Sequence, residues 1–339
     1  MNKPQFSAEK RQSVIAAVAA ACTVTRHVQH ATGRIAQHTK EDHSPVTIAD
    51  YASQAVIAER LRALEPDLRL VGEEDADALR ASGQDTLRQA VTEAVREVWK
   101  TADTAQILDA IDVGNHDASA ARYWTLDPID GTKGFLRGGQ YAVSLALIEN
   151  GEVIFGILGC PNLGFDSNLP VDQAAQQGSL FYASRGAGAW CLPVADSTSP
   201  PVRVEVRQQA ALETVRVCES VEAGHSRLDD TARIVRHLGI AGAPVRLDSQ
   251  CKYAVVARGQ ADAYLRLPTQ RGYVEKIWDH AAGKLVAEEA GARVSDIRGN
   301  PLDFSRGALL SNNRGVVCSA PSVHAALIET IATLNLFPD

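Results

Sequence analysis

The six cysteines form no CxxC pair and have no histidine partners at zinc spacing. This argues against a structural zinc site and a disulfide framework, and for reduced thiols in a reducing, cytoplasmic setting. No run approaches the ~20 apolar residues needed to span a bilayer. Basic residues are in deficit: 34 Lys and Arg against 41 Asp and Glu leave a net charge of -7. The chain therefore has no basic patch for nucleic acid and no attraction to an anionic membrane. GxSxG, HExxH, a Walker A loop and the dinucleotide fingerprint are all missing. Internal repeats and low-complexity segments are absent too.

What is present is an ordinary globular composition, 339 residues with 45% hydrophobic and 22% charged side chains. That is enough chain for one large or two ordinary domains. Near the N-terminus, Lys3, Lys10 and Arg11 precede the alanine-rich run Val14 to Cys22, a loose imitation of a signal peptide. The larger residues Val14, Val18 and Cys22 recur at helical i, i+4 spacing behind Ser7, a good N-cap, so residues 7–32 read as an amphipathic helix. A second helix begins near Asp50, with Asp50 or Thr47 as its cap. A short strand from Leu68 ends at Gly72-Glu73-Glu74-Asp75. Residues 76–112 read as a helical insertion without chemistry. The small, polar stretch 165–178 reads as a junction between domains 1–165 and 166–339. Beyond it strands and helices alternate, which argues an α/β layer.

The chain is organised around Trp124 to Thr132. The apolar run Tyr123 to Leu126 predicts a buried strand that stops at Asp127-Pro128, because proline lacks a donor and disfavours helix before it. Asp127 and Asp130, with the Ile129 carbonyl between them and the Thr132 hydroxyl beyond, form a set of hard oxygen donors suited to Mg²⁺. The alternative is a turn in which Asp130 caps the next helix. Matching carboxylates stand at other element ends: Asp50, Glu73, and Asp279 ahead of a helix that Gly291 would stop. Asp50 and Asp279 also have an innocent reading as helix caps, and Glu73 as part of a solvated acidic loop. If all five acids converge, they make a two- or three-metal site for phosphoester hydrolysis, with Thr132, bonded to a carboxylate, taking the proton from water. Among cations, Arg266 stands out inside the apolar strand Ala263 to Leu267, where it needs an anionic partner. His225 reads as a loop histidine and Lys252 as a helix-surface lysine. Lys133 and Arg137 occupy the loop 133–139.

Asp127-Pro-Ile-Asp-Gly-Thr132, the upstream Gly-Glu-Glu and the downstream Trp-Asp279-His-Ala-Ala-Gly resemble the lithium-sensitive, Mg²⁺-dependent inositol monophosphatase superfamily. The longer matches, Leu126 to Gly138, Ser44 to Asp50, Gly156 to Asn162, Leu247 to Tyr253, Ala261 to Pro268 and Glu275 to Gly283, resemble its 3′(2′),5′-bisphosphate nucleotidases. The resemblance runs from about residue 7 to about residue 330. It implies a layered αβαβα sandwich of two domains with the site between them. Glu73, Asp127, Asp130, Asp279 and the Ile129 carbonyl would bind two to three Mg²⁺ ions. Asp50 and Thr132, with Glu73, would orient and deprotonate the attacking water. His225, Ser249, Lys252 and Arg266 would hold the nucleotide, with Thr132 and Asp279 also at the substrate. The implied reaction is hydrolysis of 3′-phosphoadenosine 5′-phosphate to AMP, with the sulfated analogue as a second substrate and a link to sulfate assimilation. The implied assembly is a monomer or homodimer. Two competing readings remain: an inositol phosphate phosphatase with the same metals, and a catalytically silent nucleotide or metal sensor. Segments 76–120 and 190–245 match weakly, and Cys251 has no assigned role.

Overall fold

The computed structural model describes residues 6–31, 37–39, 45–221, 228–268 and 272–336. Ser7 caps α1 (Ala8–His30), its hydroxyl accepting from the Lys10 amide, and the helix buries Val14, Val18 and Cys22 as their spacing requires. A ribbon of β1 (Gln37–Thr39) and β2 (Pro45–Thr47) leads into α2 (Ile48–Leu64). After β3 (Leu70–Gly72), the insertion folds as α3 (Asp77–Arg80), α4 (Asp85–Arg96) and α5 (Thr104–Asp112). Val91, Val95, Ile107 and Ile111 of this insertion share a core with α2. Then come β4 (Arg122–Asp130), α6 (Thr132–Leu136), β5 (Ala142–Glu149), β6 (Glu152–Gly164), β7 (Gly178–Ser184), β8 (Ala189–Pro193) and β9 (Val202–Val204). Asn150 and Gly151 join β5 to β6 at positive φ, 53° and 76°, which is what an Asn-Gly type I′ turn demands. The remainder comprises β10 (Val217–Glu219), α7 (Leu228–His237), β11 (Val245–Arg246), α8 (Cys251–Ala257), β12 (Ala263–Arg266), α9 (Ala281–Glu289), β13 (Arg293–Ser295), β14 (Val316–Ser319) and α10 (Pro321–Thr333).

Two sheets result. One runs β3-β4-β5-β6-β7-β8-β9 and the other β11-β10-β12-β14-β13. Period-2 alternation assigns their faces. Trp124 and Leu126 of β4 pack with Val18 and Ile57 of α1 and α2. Tyr123 points the other way, into a core with Leu285 and Val286 of α9 and with Tyr264 and Cys318 of the second sheet. Ala263 and Val317, on that sheet's far side, pack with Ile234 of α7 and Leu327 of α10. The order of layers is therefore helix, sheet, helix, sheet, helix. The middle helix α8 has every residue from Cys251 to Ala257 buried, as a helix covered by a sheet on each side must.

Three expectations need correction. First, β4 does not stop at Asp127. It continues to Asp130, and its register against β5 slips between those two residues. Pro128 falls within that irregularity and beyond the last β3 partner, Leu126, so its missing donor breaks no regular ladder. Second, the stretch expected as a loop begins with the short helix α6, entered through Gly131 at φ 89°. Third, the junction placed at 165–178 lies inside one sheet, since β7, β8 and β9 all belong with β4–β6, and sheet membership changes only between Val204 and Val217. Polar composition alone does not distinguish a long hairpin connection from a linker. All six cysteines are buried free thiols. Among the described residues, no helix is long and apolar enough to cross a membrane.

Candidate active site

The parallel pairing of β3 with β4 brings their carboxyl ends to the same place: Gly72 faces Leu126, and the Glu73 amide donates to the Leu126 carbonyl at 3.1 Å. Glu73 and Asp127 are therefore neighbours by register. Gln54 of α2 locks this edge. Its amide bridges the Glu74 backbone and the Ile111 carbonyl, and it fills the space over Gly72 and Gly114, where an added Cβ would approach it to 2.6 Å. Asp50 enters from the start of α2. Thr47 is the N-cap and Asp50 the third helical residue, closing a capping box: Asp50 Oδ2 accepts from the Thr47 amide at 2.8 Å and the Thr47 hydroxyl at 2.6 Å. Of the two cap candidates Thr47 is therefore the N-cap and Asp50 its capping-box partner, which does not exclude the other reading of Asp50. The same bonds aim a carboxylate that is 1% exposed.

Asp130 does not cap the helix that follows it. Its Oδ2 accepts from the Gln250 amide at 2.5 Å, across the molecule at the start of α8. That approach depends on Gly131, whose added Cβ would meet the Ser249 Cβ at 2.9 Å. Ser249 itself sits at φ 68°, a left-handed conformation rare outside glycine and often found where function requires it. Thr132 also departs from expectation. Its hydroxyl donates to the Ile129 carbonyl at 3.3 Å, not to a carboxylate, so two expected donors of the site meet each other. Asp279 is not a cap either, because His280 occupies that position before α9. The Trp278-Asp279 segment is tied down from two sides, its Trp278 carbonyl accepting from Gln250 at 2.9 Å and from Ser144 at 3.3 Å.

Burial raises the Asp127 carboxyl well above its usual range, and the charges of Glu73, Asp130, Asp279 and Asp50 add to the rise. Glu73, Asp130, Asp279 and Asp50 thus all act on Asp127 through their charge. Asp130 is also pushed up by burial, against the pull of Lys252 and Arg266. Asp279 rises for the same first reason, opposed by Arg266 and reinforced by Asp130, Glu275 and Glu73. One oxygen of Asp127, Oδ1, is buried without a hydrogen-bond partner. An orphaned buried carboxylate oxygen under the charge of four other acids fits a hard divalent cation, which would supply the missing partner and offset the repulsion.

Lys252 is not a surface residue. It is 4% exposed, with Nζ 3.4 Å from the Leu247 carbonyl and 5.2 Å over the Tyr264 ring. Burial lowers its pKa, opposed by Asp130 and Asp248. Arg266 finds its anionic partners within the protein: Nη2 lies 2.8 Å from Glu275 and 3.3 Å from Asp279. Arg137 pairs with Asp248, and Cys251 donates its thiol to the Tyr141 carbonyl at 3.2 Å. His225 lies outside the described residues. Among those described, Glu275, Asp279 and His280 form the one trio of ligand-type atoms within 4.8 Å of one another. The guanidinium of Arg266 already sits on it, so this trio is an ion-paired network and not a cation cage. Gln54, Gln250, Glu275 and His280 were not singled out by sequence. The last two lie in the Glu275 to Gly283 match, which was their only signal.

The model of the inositol monophosphatase family matches residues 8–335. Curated relatives include the 3′(2′),5′-bisphosphate nucleotidase of Schizosaccharomyces pombe, 42% identical over 97% of this chain and 96% of its own. Another, of the same description from Emericella nidulans, is 41% identical over 86% and 89%. Among solved structures, the Thermotoga maritima IMPase superposes with a TM-score of 0.64 at 20% identity, covering 95% of this chain and 97% of the other. Mycobacterium tuberculosis SuhB does so with 0.61 at 21%, covering 99% of each. At such identities these structures speak for the fold alone. The layered fold, the matched length and the sequence identity agree that the chain belongs to the inositol monophosphatase family.

Proposed function

We propose that this enzyme is a Mg²⁺-dependent 3′(2′),5′-bisphosphate nucleotidase that removes the 3′-phosphate of 3′-phosphoadenosine 5′-phosphate, leaving AMP and phosphate. The observation that carries the metal dependence is the buried, unpartnered oxygen of Asp127 among four other acids. The substrate class rests on the curated relatives, which are described as nucleotidases of this kind at about 40% identity over nearly the whole chain.

Glu73, Asp127, Asp130, Asp279 and the Ile129 carbonyl would hold two to three ions. Bound there, Mg²⁺ supplies an acidified water and offsets charge on the departing oxygen. The protein's own part is positioning. The capping box fixes Asp50 and the Ile129 carbonyl holds Thr132, and these two, with Glu73, would orient and deprotonate the water. Ser249, Lys252, Arg266 and His225 would hold the nucleotide, with the buried Lys252 ammonium and the Arg266 guanidinium answering its negative charge. The sulfated analogue is a second substrate on the same contacts. A cytoplasmic location suits six buried thiols, and the assembly is a monomer or homodimer.

Phosphate release with Mg²⁺ tests the proposal, using 3′-phosphoadenosine 5′-phosphate beside inositol 1-phosphate and inositol 1,4-bisphosphate, with Asp130→Asn as control. Turnover of the nucleotide alone, lost in the variant, is the expected result. Preferential turnover of an inositol phosphate would overturn the substrate and keep the metal chemistry. No turnover of any ester would sink the enzyme reading and favour a silent sensor.

A further inference from the structure

We infer that Tyr253, His280 and Glu275 are positioning residues that hold Arg266 in place for the substrate. The inference rests on the nucleotidase reading above and deepens it. The Tyr253 hydroxyl lies 2.9 Å from His280 Nδ1, and His280 Nε2 lies 3.2 Å from Glu275 Oε2. Arg266 Nη2 meets that same Glu275 oxygen at 2.8 Å and reaches Asp279 at 3.3 Å.

The chain of bonds has one consistent direction. Burial disfavours a charged Glu275, but Arg266 and then His280 outweigh it and hold the carboxyl down to about 2. A carboxylate only accepts, so His280 Nε2 carries the proton and donates to it. Nδ1 is then left to accept from the Tyr253 hydroxyl, 2.9 Å away. Each member is satisfied, and each is out of reach of substrate: Tyr253 is 0%, His280 0% and Glu275 4% exposed. Arg266, at 16% side-chain exposure, is where the chain meets the site.

Two further features tie the chain to the nucleotide side. The Tyr253 ring packs edge-on against Tyr264 at 5.0 Å, and Tyr264 is the ring beneath the Lys252 ammonium. α9 also carries Gly283 where an added Cβ would strike the Tyr253 ring at 2.3 Å. Glycine inside a helix costs about 1 kcal/mol relative to alanine. Here it leaves room for the ring whose hydroxyl starts the chain.

A double-mutant cycle tests this, because a merely structural role would not couple specifically to Arg266. Tyr253→Phe keeps the ring and removes only the hydroxyl. We expect it to raise KM for 3′-phosphoadenosine 5′-phosphate about five- to tenfold with kcat within about twofold, the pattern of lost ground-state binding. Glu275→Gln should do the same more strongly. In an Arg266→Lys background, Tyr253→Phe should add less than about twofold, since the group it positions is gone. KM within about twofold of wild type in both single variants, or effects that multiply in the Arg266→Lys background, would overturn the inference. If the wild type turns over an inositol phosphate in place of the nucleotide, the substrate reading fails separately. The same cycle on that ester then decides the positioning chain, coupling supporting it and independence refuting it.

Discussion

At the scale of single residues, Asp127 is where folding and function oppose each other. Its carboxylate is buried, raised in pKa by burial and by four neighbouring acids, and short of one partner. Asp127→Asn relieves repulsion while deleting a proposed ligand. Phosphate release should therefore fall by at least ~100-fold, while the melting temperature measured in EDTA should rise or hold. A variant that melts well below wild type in EDTA would show that the acids are not strained against each other. A second residue-scale expectation lies far from the site. His324 of α10 is bonded at both nitrogens, by Ser295 at 3.0 Å and Ser319 at 2.9 Å. Burial, with Arg293 nearby, lowers its pKa from 6.5 to about 4. Between those values the unfolded chain binds the proton and the folded chain does not, so stability is full above 6.5 and declines as pH falls towards 4. The loss in melting temperature between pH 7.5 and pH 5 should be smaller in His324→Gln than in wild type. Equal losses would remove His324 from the account. Four of the five acids were legible in the sequence because each stands beside proline, glycine or tryptophan: Glu73 after Gly72, Asp127 before Pro128, Asp130 before Gly131 and Asp279 after Trp278. The chain from Tyr253 to Arg266 was not, because its members come from α8, β12 and the segment before α9, and no local spacing records that they meet.

At the scale of elements, helix starts and strand ends carry the chemistry. The capping box of α2 both begins a helix and aims Asp50. Thr47→Val removes the hydroxyl that accepts from the Ala49 amide and donates to Asp50. We expect a stability loss of about 1 kcal/mol, and a fall in kcat larger than any change in KM, because Asp50 is freed to rotate. Urea denaturation and steady-state kinetics read the two separately, and an unchanged kcat would leave Thr47 as a cap only. The start of α1, the Asn-Gly turn and the Gly291 stop could be read from sequence, since each is set by local backbone preference. The extent of β4 could not. Proline argues for a strand end, and only the position of the β3 and β5 partners shows that an irregular ladder accommodates it. The segment 165–178 misled for a similar reason: whether a polar connection separates domains or closes a hairpin depends on which strands pair.

At the scale of the whole molecule, five layers bring acids distant in sequence within electrostatic reach of Asp127. Glu73 and Asp127 come from the first sheet, Asp50 from the outer helical layer, and Asp279 from the threshold of the middle one. Cation binding at such a junction should stabilise the entire fold. Adding Mg²⁺ to EDTA-treated protein should raise its melting temperature, by about 2.7 kcal/mol of stability at a concentration one hundred times Kd. In Asp127→Asn the rise should largely vanish. Equal shifts in both proteins would place the stabilising cation elsewhere.

The sequence alone determined the chemical inventory, the start of α1, the Asn-Gly turn and the family, because these depend on residue type and short-range backbone preference. The tertiary structure decided which reading of each acid applies. Asp50 is the capping-box partner of Thr47, Asp130 bonds to α8 and not to its own helix, and Arg266 finds its counter-charges inside the protein. The physical reason is that an ion pair or a long-range hydrogen bond forms between groups that only folding brings within reach, and neither periodicity nor composition encodes that distance.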